Sequence, residues 1–266
     1  MDLSVHMVCK LLAALGLLTN LASAGAAPQL PDTTLASAYR ILQALPQGTL
    51  PQRTEVASRA LLGRPYLLGP LGEGDSLKGE AKPRFRMDVF DCVTFLETSL
   101  ALASATDTSN LLAHMDSIRY RSGEVAWRWR NHFTESEWLV RNASHHKVLR
   151  LAGDTILERR LDRKAFYGKR GVAVEDTLVH LPVLMRAKAI ERFSKPSDST
   201  RLRAVGLVGK VDGYPVLHVG FLSEKAGAVP VFRHASQAGT VREQTLAAYL
   251  QEKPKFIAVM VWEVVP

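Results

Sequence analysis

Four apolar runs near the carboxyl terminus restrict the fold of this chain more tightly than any other feature. They are Ala204 to Val211, Tyr214 to Leu222, Val229 to His234 and Phe256 to Val264. Each is rich in β-branched and aromatic residues, and Asp212-Gly213 and Lys225-Ala226-Gly227 supply turns between the first three. Val241 to Leu250, before the last run, reads as a helix. Upstream, apolar positions recur at helical spacing. Helices are expected over 35–45, ending before Pro46, over 52–62, stopped by Gly63 and Pro65, from Cys92 to about Ala105, and over 110–118. A helical amino-terminal half followed by a mainly antiparallel sheet predicts an α+β fold. Leu139 to Leu149 reads as helical. Between 151 and 200 the expectations are a strand at 153–158, a basic segment from Arg159 to Arg170, a Leu181-Pro182 turn, a helix over 183–192 and a polar loop from Ser194 to Thr200.

The first residues carry a different signal. After Lys10, the run Leu11 to Leu18 has the length of a secretory h-region, and Ala22-Ser23-Ala24 forms a small-residue cleavage site. The expected organisation is a signal peptide over 1–24, a mobile leader over 25–34 and one catalytic domain over 35–266. The apolar core is well short of the ~20 residues needed to cross a bilayer. No transmembrane anchor is therefore expected after cleavage, and the periplasm or the cell exterior is the expected compartment.

Cleavage removes Cys9 and leaves Cys92 as the one cysteine of the 266-residue chain. An internal disulfide is then impossible, and the thiol is either packed and inert or kept for reactivity. Asp91 can cap the helix that Cys92 opens. Among backbone N–H groups without intrahelical partners, a sulfur gains thiolate character, which favours a nucleophile.

Two histidines on the strands supply the partners. Period two along Pro215 to Leu222 sets Leu217, Val219 and Phe221 on the core face and His218 opposite, beside Gly220. An antiparallel neighbour brings His234 close to His218, where it can hold the ring in the tautomer that presents a nitrogen to the sulfur. The expected catalytic group is Cys92, His218 and His234. Tyr66 is a further donor if its turn approaches the site. A zinc site built from His218, His234, His132 and Asp91 or Glu97 is the competing reading, but the chain has no His-Glu-x-x-His helix or other ligand spacing. No cofactor or metal is expected.

The formal charge of +8 suits an anionic polymer. The basic residues are scattered, and neither zinc-finger spacing nor an aromatic–basic RNA-binding module is present, so no specific nucleic-acid partner is expected. The dense stretch Trp127, Trp129, Arg130, Asn131 and His132 is a candidate substrate wall for a carbohydrate or anionic peptide. It competes with a solvated arginine face over core aromatics.

The chain resembles the DUF1460 family, an N-acetylmuramoyl-L-alanine amidase-like branch of the NlpC/P60 papain-like superfamily. The matching stretches are Leu62-Gly63-Arg64-Pro65-Tyr66, Phe90 to Glu97, Ile118-Arg119-Tyr120 with Arg130 to Phe133, His218 to Phe221, and Arg233 to Ser236, in the family's order. The resemblance implies a papain-like fold, with Cys92 as nucleophile, His218 as general base, His234 as third catalytic position and Asp91 in support. It also implies amide hydrolysis in peptidoglycan or muropeptides, between N-acetylmuramic acid and L-Ala. Stem-peptide endopeptidase or acyltransferase activity with the same thiol is the alternative, and a non-catalytic basic envelope-binding protein is another. Val205 to Val211 is less polar than the family pattern, which bears on substrate choice.

Overall fold

The structure is a computed structural model and describes residues 33–71, 83–145, 147–150 and 153–265. The expected signal peptide and nearly all of the expected leader lie outside these residues. Among the described residues no helix is long and apolar enough to cross a membrane.

The chain opens with α1 (Thr33–Ala44), α2 (Leu50–Arg59), α3 (Cys92–Ser104) and α4 (Thr108–Arg119). After two short turns of 3-10 helix and one of π-helix come α5 (Leu139–Ser144), β1 (Val148–Arg150), β2 (Thr155–Leu161) and α6 (Arg163–Gly168). Then follow β3 (Thr177–Met185), α7 (Arg186–Phe193), β4 (Arg201–Gly209), β5 (Val216–Glu224), β6 (Val231–Ala235), β7 (Val241–Thr245), α8 (Leu246–Glu252) and β8 (Phe256–Val264). The strands form one sheet in the order β2-β3-β8-β4-β5-β6-β7, with β1 also paired to β8, and every strand pair is antiparallel. The α+β expectation therefore holds at the level of a mixed fold built on an antiparallel sheet.

Three local expectations are corrected. The segment read as a turn at Leu181-Pro182 and a helix from 183 is strand β3 until Met185, with Pro182 opposite Ile156. The helix expected over 241–250 begins only at Leu246, because Val241 to Thr245 pair with β6. The helix from Leu139 stops at Ser144, and Val148 to Arg150 pair with β8.

Burial sorts the sheet into two faces. On one, α1 to α4 enclose a core of Phe95, Leu100, Met115, Ala204, Val219, Phe221 and Trp262. On the other, α7 and α8 cover Val205, Leu207, Leu222, Phe232 and Val259. Helix α3 buries not one stripe but every residue from Thr94 to Ala103. Its Glu97 pairs with Arg119 of α4 at 2.9 Å, both almost fully buried. Enclosing this helix fixes the position of its first residue, Cys92.

Candidate active site

Three local structures hold Cys92. Asp91 caps α3 reciprocally: its Oδ1 accepts from Thr94 N at 2.8 Å, while Asp91 N donates to Thr94 Oγ1 at 2.9 Å. Asp91 Oδ2 also accepts from Gly69 N at 3.1 Å, which ties the cap to the turn after Tyr66. Phe90 bridges Tyr66, with Leu67 N donating to Phe90 O at 3.0 Å. Tyr66 N in turn donates to Gly239 O at 2.7 Å, in the β6–β7 hairpin turn. The nucleophile candidate is thus laced to the end of the hairpin that carries His234.

The sheet supplies the histidines. The β5–β6 ladder runs only from Ser223↔Val231 to Phe221↔Arg233, so Val219 and His218 lie beyond its last pair. There the backbone N–H of Val219 acts electrostatically on the Cys92 sulfur, as do the N–H groups of Cys92 and Val93, all favouring its charged form. His218 is the residue next to this contact, and its Nε2 stands 2.8 Å from His234 Nδ1. Gly220 is required between them. A Cβ there would come 2.6 Å from the Phe232 ring, 2.7 Å from Arg233 O and 2.9 Å from His234 Cβ.

Both histidines sit in an aromatic box that sequence periodicity did not reveal. His234 stacks on Phe232 at 4.5 Å, and Tyr249 of α8 lies 4.8 Å from His234 and 5.8 Å from His218. The expectation that Leu217 shares a face with Val219 and Phe221 is corrected. The β4–β5 register shifts between Leu207 and Val208, and Leu217 packs with the core beneath α7 and α8.

Burial dominates the electrostatics. It pushes the Cys92 thiol up to about 12, with the Asp91 carboxylate adding and the three N–H groups opposing. It drives His218 well below the usual histidine range, helped by His234 and Lys255. It also lowers His234 to about 3, with Arg242 contributing. Each of the three shifts favours the uncharged form of its group. Desolvation outweighs the N–H groups of the helix start at this sulfur.

The residues read as a substrate wall are held by other contacts. Trp127 is 1% exposed and packs with Phe133, Tyr167 and Leu161 in a third core. His132 Nε2 meets Trp127 O at 2.8 Å, and its N donates to Glu137 Oε2 at 2.7 Å. Asn131 Nδ2 donates to Ile118 O at 3.1 Å, and buried Arg130 donates to Leu71 O at 3.3 Å. Trp129 is half-buried beneath Arg121 and Arg128. Trp127 is thus enclosed by neighbouring rings, while Asn131 and His132 are half-buried. Among the described residues, no three His, Cys, Asp or Glu side chains converge as a metal site.

Over residues 56–258 the chain matches the AmiA-like family, described as N-acetylmuramoyl-L-alanine amidase-like. It is similar to a solved Legionella pneumophila protein of the DUF1460 family, at 21% identity and a TM-score of 0.74, covering 87% of this chain and 94% of that one. A solved N-acetylmuramoyl-L-alanine amidase from Bacteroides uniformis is similar at 18% identity and a TM-score of 0.66, covering 82% of this chain and 100% of the other. At such identities these structures speak to the fold. No curated protein matches the chain.

Proposed function

The chain belongs to the N-acetylmuramoyl-L-alanine amidase-like family, and from that premise we propose that it hydrolyses peptidoglycan amides with Cys92 as nucleophile, in the manner of NlpC/P60 enzymes. The observation that carries this reading is the His218 Nε2–His234 Nδ1 contact at 2.8 Å, one residue along the strand from Val219, whose N–H acts on the Cys92 sulfur.

His218 Nε2 carries a hydrogen and donates it to His234 Nδ1, which leaves His218 Nδ1 as the acceptor. Cys92 Sγ attacks the carbonyl carbon of the lactyl–L-Ala amide as His218 Nδ1 takes the thiol proton. The backbone N–H of Cys92 and its neighbours stabilise the oxyanion. The C–N bond then breaks, and His218 returns the proton to the leaving amine of L-Ala. Water, deprotonated by His218, attacks the thioester and releases the lactyl carboxylate, and the thiol is restored. Because both partners rest neutral, activation is proton transfer to the base during attack rather than a preformed ion pair. His234 holds the ring, Asp91 holds the helix start, and Tyr66, bridged to Phe90, is a further donor beside the site.

Cleavage after Ala24 and action in the periplasm or outside the cell complete the reading, with peptidoglycan or muropeptides as substrate and no cofactor. A second reading has one observation in its favour: the thiol raised to about 12 suits a packed, inert cysteine in a basic envelope-binding protein. Digestion of purified muropeptides separates the two. Amidase action yields the lactyl-muramic sugar and a peptide beginning with L-Ala; stem-peptide cleavage yields a shortened peptide still joined to sugar, and the inert reading yields neither.

A further inference from the structure

Four rings form a row through the histidine pair. Tyr249 lies 4.8 Å from His234, 5.8 Å from His218 and 5.9 Å from Phe256. A cation stands at either end. Arg242 is directly opposite His234 in the β6–β7 ladder, so the two side chains share a face of the sheet. Lys255 Nζ sits 5.1 Å above the Phe256 ring.

Both cations are exposed, and among the described residues neither meets a carboxylate. Arg242 donates only to the neutral Gln244 Oε1, at 2.7 Å. The contrast with Arg233, one position from His234, is informative. It points to the other face and is neutralised by Glu55 at 2.9 Å and Glu243 at 2.6 Å. Glu252 acts on Tyr249 of the row.

Unpaired cations here oppose the chemistry. Lys255 disfavours a charged His218, and Arg242 a charged His234, although an imidazolium must form when the thiol loses its proton. Neutralising them with substrate charge removes that opposition when the reacting amide is in place.

Resting on the amidase reading above, we propose that Arg242 and Lys255 bind the carboxylates of the substrate peptide, which makes this enzyme selective for acidic stem peptides over amidated ones. The closing experiment uses two probes differing by one charge, N-acetylmuramoyl-L-Ala-D-Glu and N-acetylmuramoyl-L-Ala-D-isoglutamine. Their binding to the Cys92→Ala protein is measured by calorimetry, and their hydrolysis by the Cys92 protein is measured alongside.

The acidic probe binds about tenfold more tightly, the factor of one modest charge pair. In Arg242→Gln/Lys255→Gln that preference collapses towards onefold, through a larger loss on the acidic probe than on the amidated one, which keeps a single carboxylate, while Arg242→Lys retains it. KM for the acidic probe rises correspondingly, by more than KM for the amidated probe. Equal affinity for both probes, or a double variant that weakens both alike, overturns the proposal. Binding is read without turnover, so a failure of the thiol mechanism, seen as hydrolysis surviving Cys92→Ala, is a separate result.

Discussion

His218 and His234 meet through Nε2 and Nδ1 at 2.8 Å, with their rings at 89° to each other. This edge-on contact occupies Nε2 of His218 and leaves Nδ1 for the proposed proton transfer, which ranks the two residues. His218→Ala removes proton transfer and should lower kcat by about 10²–10⁴-fold. His234→Ala removes one orienting hydrogen bond, worth ~1 kcal/mol, and should cost roughly five- to tenfold. Steady-state kinetics on muropeptides read both, and equal losses would contradict this ranking.

The raised thiol makes a prediction about reactivity. With Cys92 at about 12, the thiolate is a small fraction near neutral pH, and its fraction grows with each unit of pH. Iodoacetamide labelling should be slow at pH 7 and accelerate about tenfold per unit up to pH 10. Asp91→Asn keeps a capping side chain but removes a charge that raises the thiol, so it should label faster than the parent at any pH in that range. Fast labelling that is flat between pH 6 and 8 would instead indicate a thiolate–imidazolium pair.

Stability should fall in acid for a related reason. A histidine whose folded pKa is lowered stabilises the fold fully above its unfolded value, about 6.5, and that contribution is lost as the pH drops. For His234 the window extends down to about 3. Each such histidine adds a slope of up to ~1.4 kcal/mol per pH unit within its window. Cys92 has the opposite sign: its contribution is full below an unfolded value of about 8.5 and is lost as pH rises towards about 12. Urea midpoints between pH 7 and 4 should decline less steeply in His234→Phe than in the parent, and identical slopes would sink the assignment.

Gly220 ties the sheet to the chemistry. A methyl group there meets the Arg233 carbonyl at 2.7 Å, a backbone atom that cannot rotate away. Gly220→Ala should therefore push β6 from β5, destabilise the protein by ~1–3 kcal/mol and reduce kcat through the His218–His234 contact. Thermal unfolding and kinetics together test this; a variant with parental Tm and kcat would show that the strands tolerate the shift.

What the sequence disclosed depended on how local the signal was. The run from Phe256 to Val264 is a strand over that span, and the helix expected from Cys92 starts there, because apolar periodicity and an Asp cap are encoded within a few residues. Val241 to Thr245 failed because their partner, β6, decides that they extend, while Leu246 onwards keeps its helical preference. Pro182 misled in the same way, since it occupies a strand and so overrides its usual turn preference. Cys92, His218 and His234 were legible as residue types on a helix start and adjacent strands. Tyr249 and Arg242 were not, because only the fold of α8 and β7 over the sheet brings them to the histidines. The burial of Trp127 among Phe133 and Tyr167 was not legible either, because composition cannot distinguish rings that face a ligand from rings that face one another.

The central claim is that the Cys92 sulfur breaks the amide. Mass spectrometry of purified muropeptides incubated with the parent protein and with Cys92→Ala tests it most directly. The parent should release the lactyl-muramic sugar and an intact peptide beginning with L-Ala, and Cys92→Ala should release neither. The same products in the same yield from Cys92→Ala would contradict it.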